Sequence, residues 1–271
     1  MTNKSFRLAL LQMEAVAGDI AANLRTIEAA AVEATGAGAV CLIAPELALT
    51  GYGAGEAIRT TAEPADGGQV ARLQAIAAET GIAIVACFAE AADGVVYNSA
   101  VAVTPEGQRH IYRKMHLYGD YERSLFSPGD TPPPIFQIGG LKAGLLICYD
   151  VEFPEMVRHL ALAGADLVLV PTALPASEHA AFIARSIIPV RAFENQVFVA
   201  YANHAGHDDA FAYAGLSGIV APDGSDLVRA SETGVSVLIA EIDPAAFSAA
   251  RAANPYLTDR RFGFPAAPER T

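Results

Sequence analysis

The sequence predicts a mixed α/β fold of four layers, α-β-β-α, in which two mixed sheets pack face to face beneath outer helices. Short apolar runs typical of buried strands alternate with segments whose apolar residues recur at helical spacing. Two hairpins interrupt this alternation, turning at Pro105-Glu106-Gly107 and at Pro222-Asp223-Gly224. No linker, low-complexity tract or block of charge divides the 271 residues, so residues 1–271 are interpreted as one domain. A single doubly wound sheet is the alternative, but the hairpins weigh against it.

The first half of the chain alternates strands with helices and then forms a hairpin. Asp19 is a predicted N-cap, and the helix after it ends at Gly36. Residues 114–134 predict a long loop that closes with three prolines. The other predicted elements are strands at 6–12, 39–44 and 82–88, a helix at 67–79, and a hairpin that pairs 95–103 with 109–113.

The second half repeats this pattern. The predicted strands lie at 141–148, 166–170, 197–203 and 235–242, with a hairpin that pairs 215–220 with 227–230. The predicted helices lie at 154–163, 178–194 and 244–253. Pro189 is expected to bend the second of these helices. The segment 255–271 is interpreted as a tail that packs on a neighbour or frays.

Composition excludes several classes of protein. The net charge is −12, which argues against binding to nucleic acid or to anionic lipid. No apolar run approaches the ~20 residues of a membrane span, and the N-terminus lacks a signal-peptide pattern. The three cysteines have no C-x-x-C spacing, so we expect a reduced, cytoplasmic protein without disulfides. Cys41 and Cys87 lie inside apolar runs and are interpreted as core residues.

Three chemically reactive side chains follow predicted strands. Cys148 stands between an apolar run and a predicted helix, a junction that holds a side chain rigid yet reachable. Glu46 and Lys114 each follow a strand, and strand ends converge on one edge of a sheet, where ligands bind. Glu122, eight residues beyond Lys114, is able to reach the same place. These four residues form the predicted candidate site.

Three segments carry a family resemblance. They are residues 45–52 (PELALTGY), 112–117 (YRKMHL) and 146–155 (LICYDVEFPE). In order and separation they resemble the three signature blocks of the nitrilase superfamily of carbon–nitrogen hydrolases. Later stretches, at 191–195, 221–224 and 254–261, are also similar to family segments, so the resemblance covers nearly the whole chain.

The resemblance implies an α-β-β-α sandwich of the nitrilase type. It implies that Glu46, Lys114 and Cys148 are catalytic, and that Glu122 occupies the position of the family's second glutamate. It further implies a homodimer or a higher even oligomer, with the tail reaching across a partner subunit. Residues 262–265 (FGFP) depart from the family pattern in this tail.

Amide chemistry explains these residue types. A thiolate is a strong enough nucleophile for an amide carbonyl, but moving its proton to a carboxylate in water is uphill by about 4 pKa units, or ~6 kcal/mol. Burial of Glu46 raises its proton affinity, and the Lys114 ammonium lowers that of Cys148, which together favour the transfer. We expect Lys114 and the backbone N–H of Tyr149 to hold the oxyanion, while Glu122 mainly positions Lys114 and substrate. Either Glu46 or Glu122 is expected to activate the water that hydrolyses the thioester.

The residue after the nucleophile indicates the substrate class. True nitrilases usually carry Trp there, whereas this chain has Tyr149 and no Trp. The resemblance therefore favours hydrolysis of a small-molecule carboxamide to the acid and ammonia, with N-carbamoyl amine hydrolase and nitrilase as alternatives. Tyr52, Tyr118 and Leu174 are expected to line the substrate site together with Tyr149.

Three other interpretations remain open. The chain could be a catalytically weak interaction module on the same scaffold. A histidine, of which His116 is the nearest, could serve as the base for Cys148. His204, His207 and Asp208 could ligate a metal, but no third spaced partner accompanies the histidines, and neither a metal nor an organic cofactor is predicted.

Overall fold

The structure is a computed structural model that describes residues 5–261. The strands of this range are numbered in chain order. They are β1 (Phe6–Gln12), β2 (Ala39–Ile43), β3 (Ala83–Ala92), β4 (Val95–Val103), β5 (Arg109–Arg113), β6 (Ile135–Ile138), β7 (Leu141–Leu145), β8 (Leu167–Thr172), β9 (Phe198–Asn203), β10 (Gly218–Val220), β11 (Asp226–Arg229) and β12 (Ser236–Ile242).

The helices of the described range connect these strands. The predicted cap of the first helix is confirmed, because the Asp19 side chain accepts a hydrogen bond from the Ala22 N–H. The α-helices are α1 (Ile20–Gly36), α2 (Glu56–Thr60), α3 (Gly68–Thr80), α4 (Gly119–Leu125), α5 (Pro154–Leu162), α6 (Ala180–Phe182), α7 (Ile188–Asn195), α8 (Ser248–Ala253) and α9 (Tyr256–Asp259). Cys148–Glu152 and Pro244–Phe247 are 3-10 helices, and Ile183–Ile187 is a π-helical turn.

The strands form two six-stranded mixed sheets, ordered β12-β1-β2-β3-β4-β5 and β11-β10-β9-β8-β7-β6. Parallel strands form the middle of each sheet, and antiparallel strands flank them. Helices α1 and α3 pack on the first sheet, α7 packs on the second, and α5 packs beside α7. The predicted four-layer sandwich is therefore confirmed, and the alternative of a single sheet is wrong.

Alternating strand residues fill two apolar regions. Leu8 and Leu10 of β1 lie in the core between the sheets, whereas Leu11 packs in the region beneath α1 and α3. Cys41 and Cys87 are fully buried free thiols of the inter-sheet core. Their interpretation as core residues is confirmed.

The structure corrects the predicted elements in several places. The predicted loop at 114–134 contains α4, and β6 was not predicted at all. Strand β7 ends at Leu145, short of the predicted residue 148, because the chain turns into a 3-10 helix at Cys148. The predicted helix at 178–194 is interrupted by the π-helical turn just before Pro189, whose ring lacks the N–H of a regular helical hydrogen bond.

The predicted tail lies only partly within the described range. Residues 256–259 form the short helix α9, which was not predicted, and residues 262–271 lie outside the described residues. The prediction that the tail packs on a partner subunit therefore stays a prediction. Within residues 5–261, no helix combines the length and apolarity needed to cross a membrane.

The packing of the two sheets brings the carboxyl ends of several strands to one side of the sandwich. Glu46 follows β2, Lys114 follows β5 and Cys148 follows β7, and these three strands end at the same side of the sandwich. A hydrogen bond links the two sheets at these strand ends, since the Glu46 backbone N–H donates to the carbonyl of Thr172, the last residue of β8, at 3.2 Å. The predicted candidate site therefore has a common location.

Candidate active site

Cys148 lies at the first position of a tight turn. Its φ angle is 43°, in the left-handed region that a residue with a side chain rarely adopts, at a typical cost of about 1–3 kcal/mol. This backbone conformation diverts the chain from β7 into the 3-10 helix, and the Cys148 residue keeps 8% of its surface exposed. The strained turn places Cys148 at the margin of the inter-sheet core, where it lines a surface cavity.

Asp150 fixes this turn from within. Its buried carboxylate accepts hydrogen bonds from the Tyr112 hydroxyl at 2.8 Å, the His116 backbone N–H at 2.9 Å and the Ile147 backbone N–H at 3.3 Å. The His116 ring nitrogen Nδ1 lies 2.8 Å from the same carboxylate. Asp150 thereby ties the Cys148 turn to the segment around Lys114.

Arg191 holds the other end of the turn. Its guanidinium donates to the carbonyl oxygens of Val151 at 3.0 Å and Glu152 at 2.5 Å, and it also pairs with Glu194 at 3.0 Å. These bonds satisfy carbonyl groups that a short 3-10 helix leaves without partners. The turn is therefore fixed at both ends by charged, largely buried side chains.

The centre of the site is a buried cluster of two carboxylates and one ammonium. The Lys114 Nζ donates to Glu46 Oε1 and to Glu122 Oε1, both at 2.6 Å, and all three side chains are fully buried. The carboxylate of Glu122 also accepts from the Tyr52 hydroxyl and the Tyr118 backbone N–H, both at 2.8 Å. Both oxygens of Glu122 are thus engaged.

Glu46 is held differently from Glu122. Asn98 Nδ2 donates to Oε1 at 2.7 Å, the oxygen that also accepts from Lys114. The second oxygen, Oε2, is buried and has no hydrogen-bond partner among residues 5–261. Burial and the neighbouring Glu122 charge raise the pKa of Glu46 to about 7, although Lys114 and Asn98 act in the opposite direction. Glu46 is therefore a carboxylate with a free oxygen and a pKa close to neutrality.

The cluster also sets the protonation of Lys114 and Cys148. Burial alone would lower the pKa of Lys114, but the two carboxylates raise it well above its usual value, so Lys114 is a permanent ammonium. Burial and the Glu46 charge raise the pKa of Cys148 well above that of a free thiol. Lys114 acts on the sulfur in the predicted direction, but burial outweighs it, and the resting nucleophile is a neutral thiol.

A cavity of ≈ 540 Å³ opens above Cys148. The predicted substrate residues Tyr118, Tyr149 and Leu174 line it. Tyr52 does not: its hydroxyl instead donates to Glu122, and its ring packs on Tyr121, Phe211 and Tyr213. The expectation of Tyr52 in the substrate lining is corrected to a support for the buried cluster. The full lining is Tyr118, Cys148, Tyr149, Glu152, Ala173, Leu174, Pro175, Ser177, His179, Phe182, Ile183 and Ile187.

Two of the histidines considered from the sequence, His116 and His204, have other partners. His116 Nδ1 bonds to Asp150, and its ring stacks on Phe153 with centroids 3.8 Å apart. His204 is buried, and its Nε2 lies 2.7 Å from the backbone oxygen of Glu46. Among residues 5–261, no cluster of three or more His, Cys, Asp or Glu side chains has the arrangement of a metal site.

Three contributors were not predicted from the sequence. Asn98 is a buried residue of β4 that donates to Glu46. The signal that could have found it in the sequence is a polar residue within an otherwise mostly apolar strand. Asp150 follows the nucleophile closely, but only the structure shows that its carboxylate faces inward to the turn. Glu152 carries a half-buried carboxylate into the cavity wall, which its position in the sequence does not indicate.

Comparison with known proteins assigns the family. Residues 7–252 match the model of the carbon–nitrogen hydrolase family. The chain is 40% identical over 258 residues to an (R)-stereoselective amidase of a Pseudomonas species, covering 94% of this chain and 91% of that protein. It also resembles an amidase from Nesterenkonia sp. AN1 solved in complex with butyramide (TM-score 0.85, 35% identity, 96% of this chain and 95% of that one).

A further structure of the same Nesterenkonia amidase bears on the nucleophile. It is of a glutamate-to-leucine mutant and shows covalent addition of the acetamide moiety of fluoroacetamide at that enzyme's active-site cysteine (TM-score 0.86, 35% identity, 96% of this chain and 95% of that one). Family model, relative and structures agree with one another over nearly the whole chain. The chain therefore belongs to the carbon–nitrogen hydrolase family, and it is a carbon–nitrogen hydrolase with the fold of the nitrilase-superfamily amidases.

Proposed function

We propose that the protein hydrolyses a small carboxamide to the carboxylic acid and ammonia through a thioester on Cys148. The observation that carries this proposal is the buried cluster, in which one ammonium bridges two carboxylates at 2.6 Å beside the thiol. The amidase names of the relative and of the solved structures support the same reaction class.

The first half-reaction forms the thioester. The Cys148 thiol gives its proton to Glu46 Oε2 as the sulfur attacks the carbonyl carbon, and the C=O electron pair moves onto oxygen. An ammonium has three N–H donors, and Lys114 uses two of them on Glu46 and Glu122, so the third is available to the oxyanion. The backbone N–H of Tyr149 supplies the second donor. When the C–N bond breaks, protonated Glu46 gives its proton to the departing ammonia.

The second half-reaction releases the acid. Water attacks the thioester carbonyl as Glu46 takes one of its protons, and the proton returns to the Cys148 sulfur when the C–S bond breaks. Glu122 fixes Lys114 throughout and has no oxygen free to act as a base. No step requires a metal or an organic cofactor. A Glu46 pKa of about 7 suits a group that must accept and donate a proton in the same cycle.

An ammonia-release screen tests the reaction. Short aliphatic amides should release ammonia with the wild-type enzyme and not with Cys148→Ser or Cys148→Ala. Preferred turnover of N-carbamoyl amines or of nitriles would instead support one of those alternatives on the same scaffold. Stoichiometric labelling of Cys148 by a mild alkylator without turnover of any substrate would support a catalytically weak module.

Assembly is proposed from the resemblance, location from the cysteine pattern, and the lack of a nucleic-acid partner from the net charge of −12. We expect a homodimer or a higher even oligomer in the cytoplasm, and no nucleic-acid partner. Size-exclusion chromatography with light scattering measures the first of these expectations directly. A monomer that keeps full activity would contradict the dimer.

A further inference from the structure

Glu152 stands apart from the other acidic groups around the site. It lies at the last position of the 3-10 helix that begins at Cys148, and both residues line the same cavity. At about 2 Å of rise per residue, four residues of 3-10 helix separate their backbones by ~8 Å along the axis. This separation is the length of a short acyl chain extending from the carbonyl carbon.

The Glu152 carboxylate has no partner of its own. Among residues 5–261 it forms no hydrogen bond and no ion pair within 4.0 Å. The two cations whose charges reach it are committed elsewhere, Lys114 to Glu46 and Glu122, and Arg191 to Glu194 and to backbone carbonyls. Burial raises the pKa of Glu152, and the charges of Lys114 and Arg191 oppose this rise only in part.

Among the described residues, the rest of the cavity wall contains no competing fixed charge. Lys and Arg are absent from this part of the lining, and His179 lies exposed beside Glu178. The aromatic rings of Tyr118 and Tyr149 line the wall next to Cys148, and such rings attract cations through their faces. The buried cluster contains one ammonium, Lys114, and two carboxylates, Glu46 and Glu122, so it has no excess of positive charge.

We propose that Glu152 binds an ammonium group on the acyl part of the substrate, so that the preferred carboxamides are cationic. The cation belongs on the acyl part because the other product of the proposed reaction is ammonia. This inference rests on the proposed function and narrows its substrate class. Glu152 acts as a specificity residue that pairs with substrate and takes no part in the bond changes at Cys148.

A matched pair of substrates tests this inference in the wild-type enzyme. ω-Amino amides of increasing chain length are compared with the n-alkyl amides of equal length, which have the same shape without the charge. The kcat/KM of the best amino amide should exceed that of its uncharged counterpart by about tenfold or more, the scale of one charge-assisted hydrogen bond. Equal values, or preference for the uncharged series, would overturn the inference.

Two variants then assign the preference to a residue. Glu152→Gln should lower kcat/KM for the amino amide by about tenfold and leave the n-alkyl amide within about twofold. Glu155→Gln is the control, because it removes an equal charge from an exposed residue three positions away that does not line the cavity. An equal loss for both substrates in Glu152→Gln would indicate a purely structural role and would contradict the inference.

The two failures are distinguishable. If the n-alkyl amide is hydrolysed as well as the amino amide, the proposed function stands and the role of Glu152 is refuted. If the wild-type enzyme releases ammonia from no amide of either series, the proposed function fails, and the inference that depends on it fails too.

Discussion

Replacement of Glu46 by glutamine removes the proposed base while it preserves the shape of the side chain. In the structure, Oε1 of Glu46 accepts from Lys114 and Asn98, and a glutamine carbonyl oxygen is able to accept from both. The buried oxygen Oε2, which has no partner among the described residues, becomes an amide nitrogen that cannot take the thiol proton. Lys114 keeps its second carboxylate, Glu122.

The size of the effect depends on whether another group substitutes for Glu46. Glu122 does not, because Lys114, Tyr52 and the Tyr118 backbone N–H occupy both of its oxygens. The loss should therefore equal the full contribution of a general base, about 10²- to 10⁴-fold in kcat/KM. Wild-type kcat/KM should also fall as the pH drops through about 7, where Glu46 gains a proton and can no longer accept one.

The assay is ammonia release from a short amide, measured across pH for wild type, Glu46→Gln and a control. Glu90→Gln is the matched control, since Glu90 is also a buried carboxylate but pairs with Arg113 and Ser99 instead of Lys114 and Asn98. It should change stability without removing activity. Turnover of folded Glu46→Gln within about tenfold of wild type would refute the proposed base.

Four further outcomes follow from the same geometry. Asp150→Ala leaves the Tyr112 hydroxyl and the His116 backbone N–H without their acceptor, so urea unfolding should show a loss of about 2–4 kcal/mol. His116→Asn should keep kcat/KM within about tenfold of wild type, whereas a complete loss would favour a histidine base. Cys148→Gly should be more stable than Cys148→Ala by about 1 kcal/mol in thermal melts, because glycine accepts the φ of 43° without strain. The raised pKa of Glu46 means that the folded state holds its proton more tightly than the unfolded state between pH 4.5 and about 7. Its contribution to stability should be lost as the pH rises through this window, so Glu46→Gln should gain stability relative to wild type from low to neutral pH.

Sequence patterns were sufficient to predict the layers of the fold and the convergence of the site. The apolar runs at 39–44 and 82–88 and the two turn sequences are local signals, and they fixed most strands within a few residues. Glu46, Lys114 and Cys148 could be placed at strand ends because those ends are visible in the sequence. The strand directions bring Glu46 and Lys114 to one side of the first sheet, and the packing of the second sheet on the first adds Cys148 at that side.

The features that sequence patterns missed depend on contacts between distant segments. Helix α4 lies in a polar stretch without apolar periodicity, and its buried Glu122 is held by Lys114 and Tyr52. Tyr52 was expected to line the substrate site, but no local signal shows that its ring packs among other aromatic rings. The pKa of Cys148 was expected to be lowered, and only the three-dimensional burial of the sulfur reveals that desolvation outweighs the charge of Lys114.

The measurement that tests the central claim most directly is mass spectrometry of the enzyme quenched in acid during turnover of a short amide. The account predicts a mass increase equal to the acyl group minus one hydrogen, located on the peptide that contains Cys148 and removed by hydroxylamine. Turnover without such an adduct, or an adduct on the buried thiols Cys41 or Cys87 instead, would contradict a thioester at Cys148.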